Sequence, residues 1–486
     1  MQDLYFLIKS LSPTEKRYVV LYINRFSSSK TNYTSLYHHI EKLETDDDAE
    51  LAKKIRKEPY AKHLAVTKHY LFELILNAMR EYYDEHFIAW KLKKQVAQIF
   101  VLSSKGLDNA AHRLILKTKK ACWLYENFIL LLEILQHEKW LYGNRRIALK
   151  DNSYGIKICE EEELVFANFK LFQDYKSIWH RLTYYELTQQ NYSLSEYLQL
   201  LKNETKKDIM QNNPNSPYYL VQTWYHTVWA HYYMLVEDKP NHFLHYKEVT
   251  NIREQQMLKH PDTPLDLFAT YYNFLLACYE NNEWTVFDTY LSKVKNIKPK
   301  SIEQKIKQFH DYHHCLLLYY LGTAQYAKGA EILPTLKNGL DQYRDKIRQD
   351  FLIWIWQCAG LICFFTKNYK AAGNWWLEIL HLEDSSVEIK IKSKVELYNV
   401  ILSIEDESYD VLDYQIKQAE KKLKERKFIS DAEKILFTFF KSVFKNGKPA
   451  RKKYEELFHS LIECKNHNNS ILIDEFILKW IENKQR

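Results

Sequence analysis

Nine glycines in a chain of 486 residues put most turn-dependent architectures out of reach. Average usage would supply about thirty-four. Tight strand-to-helix turns and phosphate-cradling loops need glycine at fixed offsets, because a Cβ would block the turn or the close approach of backbone to phosphate. Neither GxxxxGK[ST] nor GxGxxG occurs, which argues against nucleotide-binding α/β folds. Apolar residues recur at three and four positions instead of alternating, the period of a helix rather than of a strand. The expected fold class is therefore all-α.

Short polar breaks divide the helical pattern. They fall in SSKGLDNAA near 106, EDKPNHF near 241, NNEWTVF near 284, AQYAKGA near 326, TKNYKAA near 369, EDESYDV near 409 and KNGKPARKK near 448. Trp284, Tyr326, Tyr369 and Tyr409 follow one another at 42, 43 and 40 residues. Two further breaks, near 148 in GNRRIALKDNS and near 192 in TQQNYSLSEY, continue the series toward the N-terminus. A period of roughly forty residues is that of one helical hairpin per unit in a stacked α-solenoid.

One unit carries more than the period. In WQCAGLICFFTKNYKAAGNWW, Gly360 follows Trp356 by four residues, and Tyr369, Ala372 and Trp376 come next. This resembles the tetratricopeptide (TPR) pattern, in which small residues let two helices approach and aromatics fill the groove between them. YYLGTAQYAKGAEIL (319–333) and NNEWTVFDTYL (281–291) match it in part, with Phe287 where the pattern has Ala. The period also exceeds the family's usual thirty-four residues. The chain as a whole is similar to bacterial helical-repeat proteins that begin with a Leu-Ser-Pro-x-Glu-Lys-Arg-Tyr segment, a likeness that implies no activity. The resemblance implies a TPR-like α-solenoid over residues 89–486, of about eight or nine hairpins.

Residues 1–88 lack the period and read as a helical module of five helices. Its second helix is marked by Ser12 as N-cap, Pro13 at the first helical position and Glu15 three residues after the cap, a capping box. Projected at 100° per residue, Tyr18, Val19, Tyr22, Ile23 and Phe26 share one face, and only a stripe through Arg17 and Asn24 is polar. A helix that reads a major groove must present a row of polar side chains to base edges. The second helix does not, so it is expected to be a buried scaffold. Were the module a helix-turn-helix, its reading helix would be the fifth, with Lys62, His63, Lys68 and His69 outward and Leu64, Leu71, Leu74 and Ile75 inward.

Chemistry-bearing clusters are sparse. HDYHHC places His310, His313 and His314 on one helical face beside Cys315, a spacing two imidazoles could use for a metal, although a third ligand would have to come from elsewhere. HFLHY, with His242 and His245, is a lesser case, and CEEEE (159–163) reads as a solvated helix face. There is no HExxH and no GxSxG. Basic runs at 293–307, 417–427 and 445–453 are interleaved with or followed by acids, as solvated faces are. YYLVQTWYHTVWAHYYMLVE (218–237) holds more large aromatics than one buried stripe needs, so Trp224, Tyr225, Tyr232 and Tyr233 are the candidate partner contacts.

The net charge of +7 is compatible with nucleic acid without requiring it. Seven scattered cysteines without a CxxC fit a reducing cytoplasm, and the N-terminus, with Asp3 and no basic stretch ahead of an apolar run, gives no secretory signal. The longest apolar stretch, 351–365, is interrupted by Gln357 and falls short of the about 20 residues a membrane span needs. The leading expectation is a non-enzymatic cytoplasmic scaffold that binds a protein or peptide, with no cofactor and no membrane partner. The alternatives are a DNA-binding regulator with a peptide-sensing TPR-like region and, third, a metal-dependent enzyme.

Overall fold

The computed structural model describes residues 2–26, 30–147, 153–211, 214, 216–259, 267–299, 301–382, 386–426, 428–447, 449–467 and 472–485. Among these residues the chain is all-helical, with 24 α-helices, three short 3₁₀ turns and no strand. It divides into two compact units. One comprises Met1–Glu186, Gln190–Thr270 and Pro299–Gln304, the other Leu187–Gln189, Tyr271–Lys298 and Lys305–Arg486.

The first unit opens with α1 (Gln2–Ser10), α2 (Pro13–Phe26), α3 (Lys30–Glu41), α4 (Asp48–Lys54) and α5 (Leu64–His86). These enclose a core of their own, including Ile8, Val19, Ile23, Leu36, Tyr37, Leu71 and Ile75. The capping box of α2 is formed, with Ser12 N donating to Glu15 Oε2 at 2.7 Å and Glu15 N donating to Ser12 Oγ at 3.3 Å. Asp47 caps α4 by accepting from Ala49 N at 2.7 Å. The expectation for α2 needs one correction. Val19 and Ile23 are fully buried, but Tyr18 and Tyr22 are only half-buried and Leu21 is 64% exposed. The side chain of Phe26 lies outside the described residues. Thr14, Arg17, Leu21 and Arg25 follow one another at three and four residues and form the outer stripe, so α2 is half-buried rather than enclosed.

Then follow α6 (Ile88–Ser104), α7 (Asp108–Leu124), α8 (Phe128–Gly143), α9 (Tyr154–Leu187), α10 (Leu194–Thr205), α11 (Asp208–Gln211), α12 (Tyr219–Leu235) and α13 (Lys239–Lys259). Their shared core runs from Leu92 to Val228. At its centre Glu138, with no exposed surface, accepts from Lys119 Nζ at 2.8 Å and from Tyr154 OH. The 34-residue α9, followed by the short α10 and α11, breaks the forty-residue rhythm here, and the break expected near 148 lies outside the described residues.

The second unit contains most of α14 (Leu267–Glu280), then α15 (Trp284–Asn296), α16 (Ile302–Gly322), α17 (Tyr326–Tyr343), α18 (Gln349–Phe365), α19 (Tyr369–Leu380), α20 (Ser386–Glu405), α21 (Tyr409–Glu425), α22 (Asp431–Asn446), α23 (Arg451–His467) and α24 (Glu475–Asn483). Within it α17 packs on α18, α18 on α19, α19 on α20, and so on to α24. The apolar stretch 351–365 is a core helix, with ten of its residues buried, from Leu352 to Phe364. Among the described residues no helix is long and apolar enough to cross a membrane. Gly360 matters through close approach, because a Cβ there would stand 2.1 Å from Trp376 Nε1. Gly322 faces the Trp284 ring in the same way, at 2.0 Å.

One turn recurs through both units. Gly106, Glu126, Arg145, Glu237, Asn282, Ala324, Lys367 and Glu407 each end a helix in the left-handed region, with φ between 51° and 71°. In every case the next N–H reaches back to a carbonyl five residues earlier. Examples are Asp238 N to Tyr233 O at 2.9 Å, Glu283 N to Cys278 O at 2.9 Å and Asn368 N to Cys363 O at 2.8 Å. This is the helix-ending Schellman bond, which satisfies carbonyls that the helix cannot. Only one of the eight residues is glycine.

Candidate functional site

An open cleft of about 370 Å³ runs along α12 and α13. From α12 it takes Tyr219, Gln222 and His226, at spacings of three and four residues. From α13 it takes Glu248, Ile252, Gln255, Gln256 and Lys259, again at helical spacings. Glu126, at the turn between α7 and α8, closes one end.

Glu126 fixes how α12 begins. Both carboxylate oxygens accept backbone N–H groups, from Tyr219 at 2.7 Å and Leu220 at 2.8 Å, so a residue far back in the sequence satisfies the first turn of this helix. Burial pushes its carboxyl up to about 7, against the pull of those two N–H groups. Gln222 Nε2 donates to Pro214 O at 3.0 Å and Ser216 O at 2.8 Å, and so holds the approach to α12. His226 Nδ1 lies 2.9 Å from His245 Nδ1. Such a pair needs at least one neutral ring to offer a lone pair. Burial lowers both, His245 to about 4, with the neighbouring His226 adding to the effect; Glu248 acts on His226 in the other direction.

Beside the internally bonded Glu126 and Gln222, the lining offers the amides of Gln255 and Gln256, the Glu248 carboxylate and the Lys259 ammonium, all on α13. That suits the backbone and side chains of another polypeptide more than it suits a single small ligand. Compared with protein-family models, with curated proteins and with solved structures, the chain has no match.

The four aromatic candidates of α12 are all half-buried, and they serve different neighbours. Trp224 meets Phe172 and Trp179 of α9 edge-on, each at 6.1 Å, with the Lys176 ammonium 5.7 Å from its ring. Tyr225 packs edge-on against Tyr175 at 5.7 Å. Tyr232 meets Trp229 at 5.7 Å. Tyr233 stacks on Trp229 at 5.4 Å and on His245 of α13 at 5.5 Å. Trp224 and Tyr225 are thus turned to α9 and Tyr233 to α13, while Tyr232 and Tyr233 meet each other edge-on at 5.4 Å.

The basic candidates of the N-terminal helices are also dispersed. Lys62 and His63 lie in the 3₁₀ turn Ala61–His63 ahead of α5, exposed. Lys68 is tied to Asp48 by an ion pair. His69 is exposed, with Val66, Tyr70, Glu73 and Leu76 around it on the outer side of α5. That face is as apolar as it is basic.

The three α16 histidines have separate partners. His313 Nδ1 donates to Phe309 O of its own helix at 2.7 Å. His314 Nδ1 meets Tyr272 OH at 2.8 Å and its ring stacks on Trp354. His310 packs on the Phe351 ring at 4.1 Å, with Nδ1 3.0 Å from the Asp311 carboxylate. Among the described residues no three His, Cys, Asp or Glu side chains are arranged to hold a metal ion.

Sequence reasoning missed Glu126, Gln222, His226 and the α13 stripe as members of one cleft. The stripe was readable, since 248, 252, 255, 256 and 259 share a helical face. Glu126 was not, because its role depends on a contact made across 93 residues.

Proposed function

We propose that this chain is a non-catalytic, cytoplasmic scaffold built as an N-terminal helical module followed by a TPR-like α-solenoid, and that the α12–α13 cleft takes a segment of a partner protein. The observation that carries the cleft reading is its lining: Gln255, Gln256, Glu248 and Lys259 on one stripe of α13, facing Tyr219 and His226 of α12. A partner backbone finds both donors and acceptors there. The solenoid reading draws its support from the recurring Schellman turn. Its left-handed residues at 237, 282, 324, 367 and 407 are spaced by 45, 42, 43 and 40 residues. Seven cysteines that are all free thiols fit a reducing compartment.

The test uses the full chain with a photo-crosslinking residue in place of Gln255 or of Gln256, and at exposed Lys94 as the control. Crosslinking in native cells should yield one stoichiometric polypeptide adduct from the α13 positions and none from the control. No adduct across several growth conditions, or the same adducts from all positions, rejects the cleft as the partner site.

A further inference from the structure

A second recess, of about 430 Å³, is lined by Phe100, Ser103, Ser104, His137, Trp140 and Arg146. It shares no residue with the α12–α13 cleft. Glu126 of that cleft precedes α8, whereas Trp140 and Arg146 stand at its far end, and a 16-residue helix is about 24 Å long.

The recess combines an apolar wall with a prepared cation. Phe100 is 42% and Trp140 44% exposed, so both rings present apolar surface to the recess. His137 links them, stacked on Trp140 at 5.6 Å and meeting Phe100 edge-on at 4.6 Å. Ser103, itself buried, fixes the imidazole through a 2.8 Å hydrogen bond to Nε2. Arg146 follows the left-handed Arg145 at the end of α8. Its Nε donates to Asp108 Oδ2 at 2.8 Å, and its guanidinium lies 5.1 Å over the Trp140 ring. Among the described residues, neither of its terminal NH₂ groups has a hydrogen-bond acceptor.

An arginine held by Nε and by stacking keeps its other edge free, and that edge matches the two oxygens of a carboxylate. Burial keeps the His137 imidazole below its ordinary basicity, although Asp108 pulls the other way, so Arg146 is the only cation among the described residues of the lining at neutral pH. One cation, partly offset by Asp108 behind it, suits a singly charged carboxylate better than a phosphate dianion. The rings beside it favour an apolar group attached to that carboxylate.

We propose that this recess binds the free C-terminus of a peptide that ends in an aromatic or large apolar residue, the carboxylate on the terminal NH₂ groups of Arg146 and the last side chain against Trp140 and Phe100. The inference does not depend on the α12–α13 reading.

The full-length protein is titrated with acetyl-Gly-Gly-Phe, with the same peptide as its C-terminal amide, with benzoate and with inorganic phosphate, followed by ligand-observed NMR. The free acid should bind about tenfold or more tightly than the amide. Benzoate should bind more weakly than the peptide, and phosphate should not displace it. Arg146→Lys, which keeps the charge and loses the planar fork, should weaken the acid by about tenfold while leaving the amide unchanged. Equal binding of acid and amide overturns the proposal. So does displacement by phosphate at matching concentration, or benzoate binding as tightly as the peptide. If Arg146→Lys unfolds, the acid-to-amide comparison on the unaltered chain still decides.

Discussion

Lys367 and Ala324 hold φ of 61° and 56°, angles at which a Cβ crowds the following carbonyl. Replacing Lys367 with glycine removes that crowding and loses some backbone entropy, and the first effect is the larger. The variant should be more stable by about 0.5–1 kcal/mol in urea unfolding. Glu138 works in the opposite sense. Burial raises its carboxyl, but His112, Lys119 and Tyr154 outweigh that and hold it below the ordinary carboxylate value. Its contribution is therefore complete above the unfolded carboxylate range and is lost as pH falls through the folded value. Glu138→Ala leaves Lys119 with Glu161 alone in a largely buried place, and should cost about 3–5 kcal/mol at neutral pH.

The histidine pair gives a second pH signature at the same scale. Burial holds His226 and His245 below their ordinary basicity in the folded chain, whereas the unfolded chain takes up protons below about 6.5. The unfolded state then binds more protons than the folded one, so stability should fall as pH drops from about 6.5 toward 4. Melting temperatures across that window should decline less steeply in His245→Gln than in the unaltered chain.

Among the elements, α24 is the most exposed to a direct test. Asp474 caps it by accepting from Ile477 N at 3.3 Å, and also accepts from Tyr398 OH. Trp480 Nε1 and Lys484 Nζ reach the two oxygens of Glu405 at 2.8 and 2.7 Å. Trp480 is 2% exposed and packs against Phe439, Phe440 and Tyr454. Trp480→Ala should cost about 3–5 kcal/mol and raise hydrogen exchange in α22 and α23.

Legibility also divides at the level of elements. The α2 capping box, the five N-terminal helices and the breaks at 284, 326, 369 and 409 were readable, because caps and 3.6-residue periods are local. The place of Gly360 against Trp376 was readable for the same reason: both sit in one hairpin. What escaped depends on distance in sequence, as with Glu126 beneath α12 or Arg146 beside Phe100. The outer stripe of α2 escaped differently, since helical spacing places Leu21 beside Arg17 and Arg25 while its hydrophobicity argues for burial, and the spacing decides. The histidines of α16 share a helical spacing yet serve Phe309, Tyr272 and Phe351 separately, because neighbouring helices decide where each ring is used.

Taken as a whole, the described residues include three clusters of buried side chains, two within the first compact unit and one within the second. A chain so divided should not unfold as one cooperative body. Calorimetry should give a van't Hoff enthalpy below the calorimetric one, and equality of the two would contradict this. The DNA-reading alternative also belongs to this scale. With Lys68 engaged by Asp48 and α5 lined by Val66, Tyr70 and Leu76, full-length protein should show no steep salt dependence on duplex DNA. A slope of several counterions would reinstate that reading.

The bends at 126, 145, 237, 282, 324, 367 and 407 are occupied by Glu, Arg, Glu, Asn, Ala, Lys and Glu. What they share is a left-handed dihedral angle, which favours glycine without requiring it, and a backward hydrogen bond made by backbone atoms alone. Substitutions can therefore accumulate at each bend without unmaking it. The path of the chain at each bend is thus held by torsion and backbone bonding, and a side-chain change there alters how stable the bend is before it alters where the chain goes.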